Sequence, residues 1–313
     1  MSVLSVRIGA RSSRLSRAQA DIVSDLMRER FGDGLALEFV PVKTLGDRRP
    51  PAAKSKLGQA GAKGAFTGYI EAMLLHGKID IAIHSMKDLT SEGTDGLVIG
   101  ATPPRSDPRD ALVTGSGGTI ATLPTGARVG TSSLRRKAEL LKLRGDLDVV
   151  ELHGNVDTRL RRVIGGGTHD LDAVVLAVAG LQRIGEGSRI SQTFSIDEMV
   201  PAVGQGIIAV QMRRDDRDIE RVLSQIDDEV TGLESQCERA FAQRLGADCN
   251  VPVGGCARVS GRRIKIVGML AKMDGSEFKQ KAVAGPSGEA VALGERLAEE
   301  LLDGTPARRG AAS

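Results

Sequence analysis

The chain has 313 residues, which is too long for one ordinary hydrophobic core, so two or three domains are expected. Its apolar fraction of 41% and charged fraction of 27% are normal for a soluble globular protein. A net charge of only +3, with six Phe, one Tyr and no Trp, argues against a nucleic-acid binder, because such proteins are usually basic and stack bases on aromatic rings.

The N-terminal residues contain no apolar run long enough for a signal peptide, and no stretch approaches the length of a membrane span. We therefore expect a cytoplasmic protein without a membrane partner. Three cysteines are an odd number for such a chain, so a disulfide framework is not expected. The cysteines lack zinc spacing, and His84 and His153 lack a partner pattern, so no metal site is predicted.

Short apolar runs alternate with helical patterns up to about residue 215. The predicted strands cover residues 3–8, 37–42, 79–84, 128–130, 148–152 and 173–178, and helices are predicted over 12–31 and 66–76. Such alternation is typical of parallel sheets with helices on both faces. Pro103, Pro104 and Pro108 mark one crossover between two α/β domains, and residues 200–206 mark a second.

From about residue 227 the pattern becomes that of an α+β unit. A helix over 230–245 precedes a Pro/Gly loop, three strand-like runs and an amphipathic helix near 288–302. We therefore expect three domains, formed by residues 1–103 with 205–222, by 104–204 and by 223–313. Residues 47–63, rich in Pro, Gly, Lys and Ala, predict an exposed mobile loop, and a loop of that length is often functional.

Three predicted strands end in a small polar turn that opens a helix. The turns contain Arg11-Ser12-Ser13, Thr131-Ser132-Ser133-Leu134-Arg135-Arg136, and His153-Gly154-Asn155 with Arg159. Backbone N–H groups and the helix dipole make each turn an anion site, and hydroxyls and guanidinium groups add donors. For any single turn, the alternative that the hydroxyls only cap helices has equal weight. Three such turns favour a ligand with several carboxylates or phosphates.

Charge supports this interpretation, because residues 128–162 hold nine Lys or Arg against five acidic residues. A predicted buried strand also runs directly into Lys87 and Asp88. Asp88 is a candidate general acid, or a carboxylate that stabilises a developing cation. The pattern alone slightly favours the alternative of an N-cap Asp beside a surface Lys.

Cys249 lies in the polar loop Asp248-Cys249-Asn250-Val251-Pro252 and is a candidate nucleophile. Cys237, within a predicted helix, is expected in the core, and Cys256, at the start of a strand, is expected to be structural. The segment Gly204-Gln205-Gly206 imitates a dinucleotide-binding fingerprint. It precedes a strand rather than a helix, so a crossover hinge is the better interpretation.

These motifs together resemble the porphobilinogen deaminase (hydroxymethylbilane synthase) family. The matching blocks are Arg11-Ser12-Ser13 with Gln19, Gly61-Ala62-Lys63-Gly64, His84-Ser85-Met86-Lys87-Asp88, Asp107-Pro108-Arg109-Asp110, Gly130 to Arg136, Gly154-Asn155-Val156 with Thr158-Arg159, Leu176 to Leu181 with Arg183, Pro201 to Gly206, and Cys249 to Pro252. They follow the family's order and cover nearly the whole chain.

The resemblance implies two doubly wound α/β domains of periplasmic-binding-protein type, joined by a double crossover, and a small α+β C-terminal domain. It implies a monomeric transferase of heme biosynthesis that joins four porphobilinogen molecules head to tail, with loss of ammonia, into the linear tetrapyrrole hydroxymethylbilane. A dipyrromethane cofactor, made from the enzyme's own substrate, would be held on Cys249 through a thioether.

The resemblance also assigns roles to single residues. Asp88, with Lys87, matches the catalytic position, where the carboxyl group assists loss of ammonia and stabilises positive pyrrole nitrogens. Besides Cys249, the cofactor-binding positions are matched by Ser13, Lys87, Asp88, Thr131, Ser132, Ser133, Arg135 and Arg136. The substrate-binding positions are matched by Arg11, Ser13, Lys63, Phe66, His153, Arg159 and Arg183. The loop over 47–63 matches a mobile lid.

Four positions depart from the family pattern. Gln59 and His153 replace a lysine and an arginine, which removes two permanent cations and bears on chain elongation; Thr90 replaces a proline and Asp248 a glycine. Two other function classes stay open. A solute-binding protein would share the two-domain α/β architecture, and a divergent family member would bind pyrroles or anions without turnover.

Overall fold

The computed structural model describes residues 4–42, 59–164, 170–246, 251–272 and 275–303. The strands are β1 (Leu4–Arg11), β2 (Leu35–Val42), β3 (Ile81–Ser85), β4 (Leu97–Ala101), β5 (Asp110–Thr114), β6 (Arg128–Gly130), β7 (Asp148–Val150), β8 (Ala173–Ala177), β9 (Gln192–Thr193), β10 (Ile208–Arg213), β11 (Val253–Ser260), β12 (Arg263–Leu270) and β13 (Lys279–Pro286). The α-helices are α1 (Arg14–Phe31), α2 (Gln59–Leu75), α3 (Leu134–Leu143), α4 (Val156–Leu160), α5 (Val178–Arg183), α6 (Arg217–Leu223), α7 (Glu229–Arg244) and α8 (Ala290–Leu302).

The first sheet has the strand order β2-β1-β3-β10-β4. Strand β1 runs parallel to β2 and β3, whereas β10 is antiparallel to β3 and β4. Alternate residues of these strands, such as Ile8 and Ile83, are buried in one core with Val23 and Met27 of α1. The 3.6-residue spacing of the apolar positions on α1 explains why that helix lies flat on the sheet.

The second sheet has the order β7-β6-β8-β5-β9. Strand β6 runs parallel to β7 and β8, and β5 is antiparallel to β8 and β9. The fold class is confirmed, but the expectation of parallel sheets is wrong for β5 and β10. Each of these two strands follows a crossover from the other sheet. It therefore enters its sheet from the opposite end and runs antiparallel to its neighbours, whereas a strand that follows a helix on the same sheet runs parallel.

The C-terminal part is an antiparallel sheet, β11-β12-β13, covered by α7 and α8. Cys237 and Phe241 of α7 and Leu297 of α8 are fully buried in its core. Cys256 is also buried, but it lies in the middle of β11 rather than at its start. The two helices approach closely at Gly294, where a Cβ would lie 2.2 Å from the Cys237 carbonyl oxygen. A larger residue there would push the helices apart.

Helix α2 begins earlier than the predicted start at Phe66. Residues 59–63, assigned from sequence to a loop, are helical, because Ala60, Ala62 and the flanking Gln and Lys are strong helix formers that outweigh Gly61. The rest of the predicted loop, over 47–58, lies outside the described residues, as do the side chains of Gln59, Lys63 and Phe66. In the described part of the chain, no helix is both long and apolar enough to cross a membrane.

Both connections between the first two sheets meet at a buried ion-pair group, here called the hinge cluster, made of Arg105, Glu234 and Glu238. The Nη1 of Arg105 donates to Glu234 Oε2 at 3.0 Å and to Glu238 Oε1 at 2.6 Å. Glu238 also accepts hydrogen bonds from the backbone N–H groups of Gly204, at 2.6 Å, and Ala257, at 2.8 Å. The hinge cluster therefore joins both crossovers to α7 and β11.

Candidate active site

The first two sheets face each other across a cleft of about 210 Å³. The polar side chains that line it are those of Arg11, Ser13, Ser16, Ser85, Lys87, Asp88, Arg136, Asn155, Asp157, Arg159 and Arg183. These residues come from strand ends, from the turns that follow them and from the adjoining helices of both sheets, and Gly206 and Ile207 of the second crossover also line the cleft. This is where ligands bind in doubly wound sheets, because strand ends leave backbone groups and short turns open to a ligand.

Two strand ends of the first sheet supply one wall. Arg11 is the last residue of β1, and Ser13 caps α1 by accepting a hydrogen bond from the backbone N–H of Ser16 at 3.2 Å. Strand β3 ends at Ser85, whose Oγ accepts a hydrogen bond from Gln19 Nε2 at 2.9 Å. A 3₁₀ turn, Met86–Asp88, follows directly and brings Lys87 and Asp88 to the cleft.

Asp88 is exposed at the cleft surface, whereas Lys87 is half-buried beside it. Burial and the nearby charge of Arg136 lower the pKa of Lys87 to about 8, against the opposing effects of Asp88 and Asp110. The Nζ of Lys87 donates to Gln205 Oε1 at 3.3 Å. The ammonium group therefore titrates within the range in which an enzyme works.

Arg135 and Arg136 begin α3 and are both buried. Arg136 donates to Asp110 Oδ1 from Nε at 3.0 Å and from Nη2 at 2.6 Å, while Arg135 Nη2 lies 2.8 Å from Asp110 Oδ2. Burial alone would raise the pKa of Asp110, but the two guanidinium groups lower it to about 2. Arg135 also pairs with Glu139 at 2.8 Å. Of the two arginines, only Arg136 is among the residues that line the cleft.

Arg159 and Arg183 differ from that pair, because among the described residues neither forms an ion pair with a carboxylate. Arg159 donates to Gly154 O at 2.9 Å and reaches Ser132 Oγ at 3.5 Å. Arg183 donates to Gly206 O at 2.7 Å and Ser106 Oγ at 3.0 Å. Burial lowers the pKa of each to about 10, so both stay charged at neutral pH. Such cations attract an anionic ligand.

The remaining predicted side chains occupy different places. Ser133 caps α3, and Thr131 accepts a hydrogen bond from the backbone N–H of Ser133 at 3.1 Å, as the helix-cap alternative proposed. His153 is exposed, contacts Glu151 at 2.9 Å and is not among the lining residues. Cys249 lies outside the described residues. The binding roles assigned to these residues stay predictions.

Sequence reasoning did not assign a role to Gln205 or Asp110, although both lie under the cleft. From sequence, Gln205 belongs to a predicted crossover hinge, and Asp110 belongs to one of the blocks that resemble the family. No local signal revealed that the side chains meet, because the two residues are 95 positions apart. Arg14 was also missed: it pairs with Asp157 at 2.9 Å across the two cleft walls.

Two family models match the chain. One, described as "Porphobilinogen deaminase, dipyromethane cofactor binding domain", matches residues 6–221, and the other, "Porphobilinogen deaminase, C-terminal domain", matches residues 233–303. A porphobilinogen deaminase of Syntrophotalea carbinolica is 43% identical over 96% of this chain and 94% of its own length. One of Pelotomaculum thermopropionicum is 45% identical over 95% of this chain and 93% of its own.

A comparison of folds gives distant likenesses. The crystal structure of protein PG110 from Staphylococcus aureus covers 95% of this chain and 99% of its own, with 13% identity and a TM-score of 0.42.

Proposed function

The chain belongs to the porphobilinogen deaminase family, and from that premise we propose that the cleft between the two five-stranded sheets is its active site. As a member, it is an enzyme, a transferase of porphyrin biosynthesis that makes a tetrapyrrole from porphobilinogen and carries a dipyrromethane cofactor. The assignment of single residues to these tasks is our proposal. The division into domains over 1–103 with 205–222, 104–204 and 223–313 belongs to the same proposal.

One observation carries the assignment of the site: half-buried guanidinium groups, those of Arg159 and Arg183, have no carboxylate partner among the described residues and lie in the same cleft as the exposed carboxyl group of Asp88. Porphobilinogen and each ring of its products carry an acetate and a propionate. Carboxylates of this kind suit Arg159 and Arg183, which offer charge-assisted hydrogen bonds. The arginines would hold the substrate side chains and leave the reacting ring edge at Asp88.

The cleft also fits the dipyrromethane, a group with four carboxylates. The Nε of Arg183 is buried and has no hydrogen-bond partner among the described residues, so an acceptor in the cleft would satisfy it. Arg136, Lys87 and Ser13 lie along the same wall and would hold further carboxylates. When bound, the dipyrromethane supplies the terminal pyrrole to which the first substrate ring is joined.

We propose Cys249 as the residue that holds the cofactor. Burial raises the pKa of the Cys237 and Cys256 thiols to about 12, which keeps both protonated and unreactive. Cys249 precedes a segment that packs beside the cleft: at Gly254 a Cβ would lie 2.7 Å from Val200 O and 3.0 Å from Arg135 Cδ. Gly254, five residues after Cys249, therefore lies next to the start of α3.

We propose that Asp88 is the catalytic residue. Its carboxyl group would donate a proton to the amine of porphobilinogen as the carbon–nitrogen bond breaks and ammonia leaves. The resulting carboxylate would stabilise the positive charge left on the pyrrole nitrogen. The joining of the two rings releases one proton, which the Asp88 carboxylate would take up, so that its acid form is restored for the next round. Lys87 and Arg136 would hold carboxylates on either side.

We further propose that the enzyme is monomeric and cytoplasmic, as the resemblance to the family implies. Size-exclusion chromatography with light scattering, at several protein concentrations, would give the mass in solution. A dimer at the lowest concentration would contradict the first part of this proposal.

The mass of the intact, denatured protein tests the proposed function. We expect an addition equal to two pyrrole units that maps to the peptide with Cys249, and further discrete adducts after incubation with porphobilinogen. Cys249→Ser should not load, while Cys237→Ser and Cys256→Ser, as matched controls, should load. A bare polypeptide mass in all samples would contradict the proposal, and loading of Cys249→Ser would move the attachment point.

A further inference from the structure

Gln205, in the second crossover, is completely buried beneath the cleft. Its side-chain oxygen accepts hydrogen bonds from Lys87 Nζ, at 3.3 Å, and from Arg136 Nη2, at 3.5 Å. Its side-chain amide donates to Asp110 Oδ1 at 2.9 Å and to Pro108 O at 2.7 Å. The side chain therefore has two cations on one end and two oxygens on the other.

The backbone around Gln205 is held from both sides. Gly204 and Gly206 have positive φ, of 74° and 88°, and both are in close contact with neighbouring segments. A Cβ on Gly204 would lie 2.5 Å from Met86 Cγ, and one on Gly206 would lie 2.5 Å from Ser106 O. Only glycine fits either position without displacement of these neighbours.

Further hydrogen bonds restrain the same segment. The carbonyl oxygen of Gln205 accepts hydrogen bonds from Arg105 Nε at 3.0 Å and Nη2 at 2.8 Å. The backbone N–H of Met86, next to Lys87, donates to Ile207 O at 3.0 Å. The crossover and the turn that carries Lys87 are therefore tied together, and the position of the Gln205 amide is set by its surroundings.

We infer that Gln205 is a positioning residue that holds the Lys87 ammonium group against the Arg136–Asp110 pair, so that the cations of both sheets keep a constant spacing along the cleft. This inference rests on the proposed function, in which Lys87 and Arg136 bind carboxylates. Gln205 touches no reacting atom in this scheme; it acts through Lys87 and Arg136.

The chemistry of the site explains why an amide suits this position. A neutral side chain with one acceptor and two donors satisfies both cations and both oxygens at once. A glutamate would improve the contact with Lys87. It would, however, place a carboxylate oxygen against Asp110 Oδ1 and Pro108 O, with no hydrogen to donate to either. An apolar side chain would leave Lys87 facing Arg136 with no acceptor between them, which disfavours the charged ammonium group.

The two replacements are therefore expected to move the titration of Lys87 in opposite directions. Among the described residues, the charged groups that face Lys87 are Asp88 on its own turn, Arg135 and Arg136 on α3, and Asp110 on β5. A change at residue 205 leaves these four charges in place, although it removes the hydrogen bonds of Arg136 and Asp110 to the Gln205 amide. Gln205→Met should lower the pKa of Lys87 by roughly one unit, and Gln205→Glu should raise it by a similar amount.

The experiment measures Lys87 and the reaction separately. Competitive labelling of the cofactor-loaded protein with an amine-reactive reagent, followed by mass spectrometry, gives the titration of Lys87 across a pH series. Steady-state kinetics with porphobilinogen gives kcat and KM over the same series. We expect KM at neutral pH to rise about tenfold in Gln205→Met, with a smaller change in kcat.

Gln211→Met is the matched control, because Gln211 is a buried glutamine on β10 that donates to Glu71 Oε1 at 3.0 Å, outside the cleft. It should leave the Lys87 titration unchanged. Opposite shifts in Gln205→Met and Gln205→Glu support the inference. An unchanged Lys87 titration in folded Gln205→Met or Gln205→Glu would overturn it, even if kcat falls at every pH.

The labelling arm needs no turnover, so it stays informative if the proposed function fails. In that case wild-type protein would lack the added mass and activity while the shifts at Lys87 persist. If Gln205→Met does not fold, the inference is tested by Gln205→Glu alone: a raised pKa of Lys87 supports it, and an unchanged pKa contradicts it.

Discussion

Two groups of arginines lie close together in this protein, one buried and one half-buried, and they differ in their counter-ions. In the hinge cluster, the Arg105 guanidinium is neutralised by Glu234 and Glu238, all three with side chains at most 2% exposed. In the cleft, Arg159 and Arg183 donate only to hydroxyl and carbonyl oxygens of the described residues. Even partial burial of a cation without a counter-ion costs free energy, and a fold tolerates this cost where a ligand supplies the opposite charge.

Arginines with carboxylate partners stabilise the fold, whereas arginines without them are available to a ligand. The two arginines of α3 differ in the same way. Arg135 is enclosed by Asp110 and Glu139 and so resembles the hinge cluster, whereas Arg136 faces the cleft. We therefore expect substitutions in the hinge cluster to reduce stability and substitutions in the cleft to reduce binding or turnover.

The largest effect is expected at Asp88, the carboxyl group of the cleft. Asp88→Asn removes the acid and the negative charge, so kcat should fall by about 100-fold or more, without loss of stability or of cofactor attachment. Steady-state kinetics and intact mass measure these quantities. Asp157→Asn, another carboxylate of the cleft, is the control and should keep most activity. Near-normal turnover in Asp88→Asn would remove Asp88 from its proposed role.

Arg105→Met tests the structural role of the hinge cluster. It leaves Glu234 and Glu238 buried without their counter-ion, so the free energy of unfolding should fall by about 3–5 kcal/mol. Urea denaturation followed by circular dichroism measures this change. In protein that stays folded, KM should rise less than in Arg183→Met, because Arg105 contacts the cleft only through the Gln205 carbonyl oxygen. A loss of stability below about 1 kcal/mol would show that the hinge cluster is not a structural ion-pair group.

Arg183→Met should behave in the opposite way. Removal of a cation without a counter-ion should change the free energy of unfolding by less than about 1 kcal/mol. The KM for porphobilinogen should rise about tenfold, because a charge-assisted hydrogen bond to a carboxylate is lost. Arg189→Met, an exposed arginine that pairs with Glu186, is the matched control. Equal effects of both variants on KM would contradict a binding role for Arg183.

The smallest effect is expected from pH. Since the pKa of Lys87 is lowered to about 8, its ammonium group is charged below that pH and neutral above it. Carboxylate binding should therefore weaken as pH rises through about 8, and KM should increase a few-fold by about pH 9. Lys87→Arg, which stays charged, should lack this increase. A KM that is independent of pH in the wild type would argue against Lys87 as a carboxylate ligand.

The sequence patterns located most elements well. The helix predicted over 12–31 is Arg14–Phe31, and the strand predicted over 128–130 is present with the same bounds. Local spacing of apolar residues and cap residues suffices for such elements. The antiparallel direction of β5 and β10 was not predicted, because strand direction depends on which sheet the chain joins after a crossover.

The candidate site shows the same division. The turn after β3, with Lys87 and Asp88, and the capped starts of α1 and α3 follow from local chemistry: a strand ends, a Ser or Thr oxygen caps the next helix, and donors collect there. The sequence by itself therefore determined which residues stand at the strand ends. It also determined, through the Arg and Lys residues at these ends, that the expected ligand is anionic, independently of how the sheets are arranged.

Only the tertiary structure decided which of these cations are neutralised. Arg105 meets Glu238, 133 residues away, and Arg136 meets Asp110, 26 residues away, whereas Arg159 and Arg183 meet no carboxylate in the described part of the chain. Gln205 lies beside Lys87 across 118 residues for the same reason. The charge state of a site depends on distances between distant segments, and packing of the sheets sets those distances after each local element has formed.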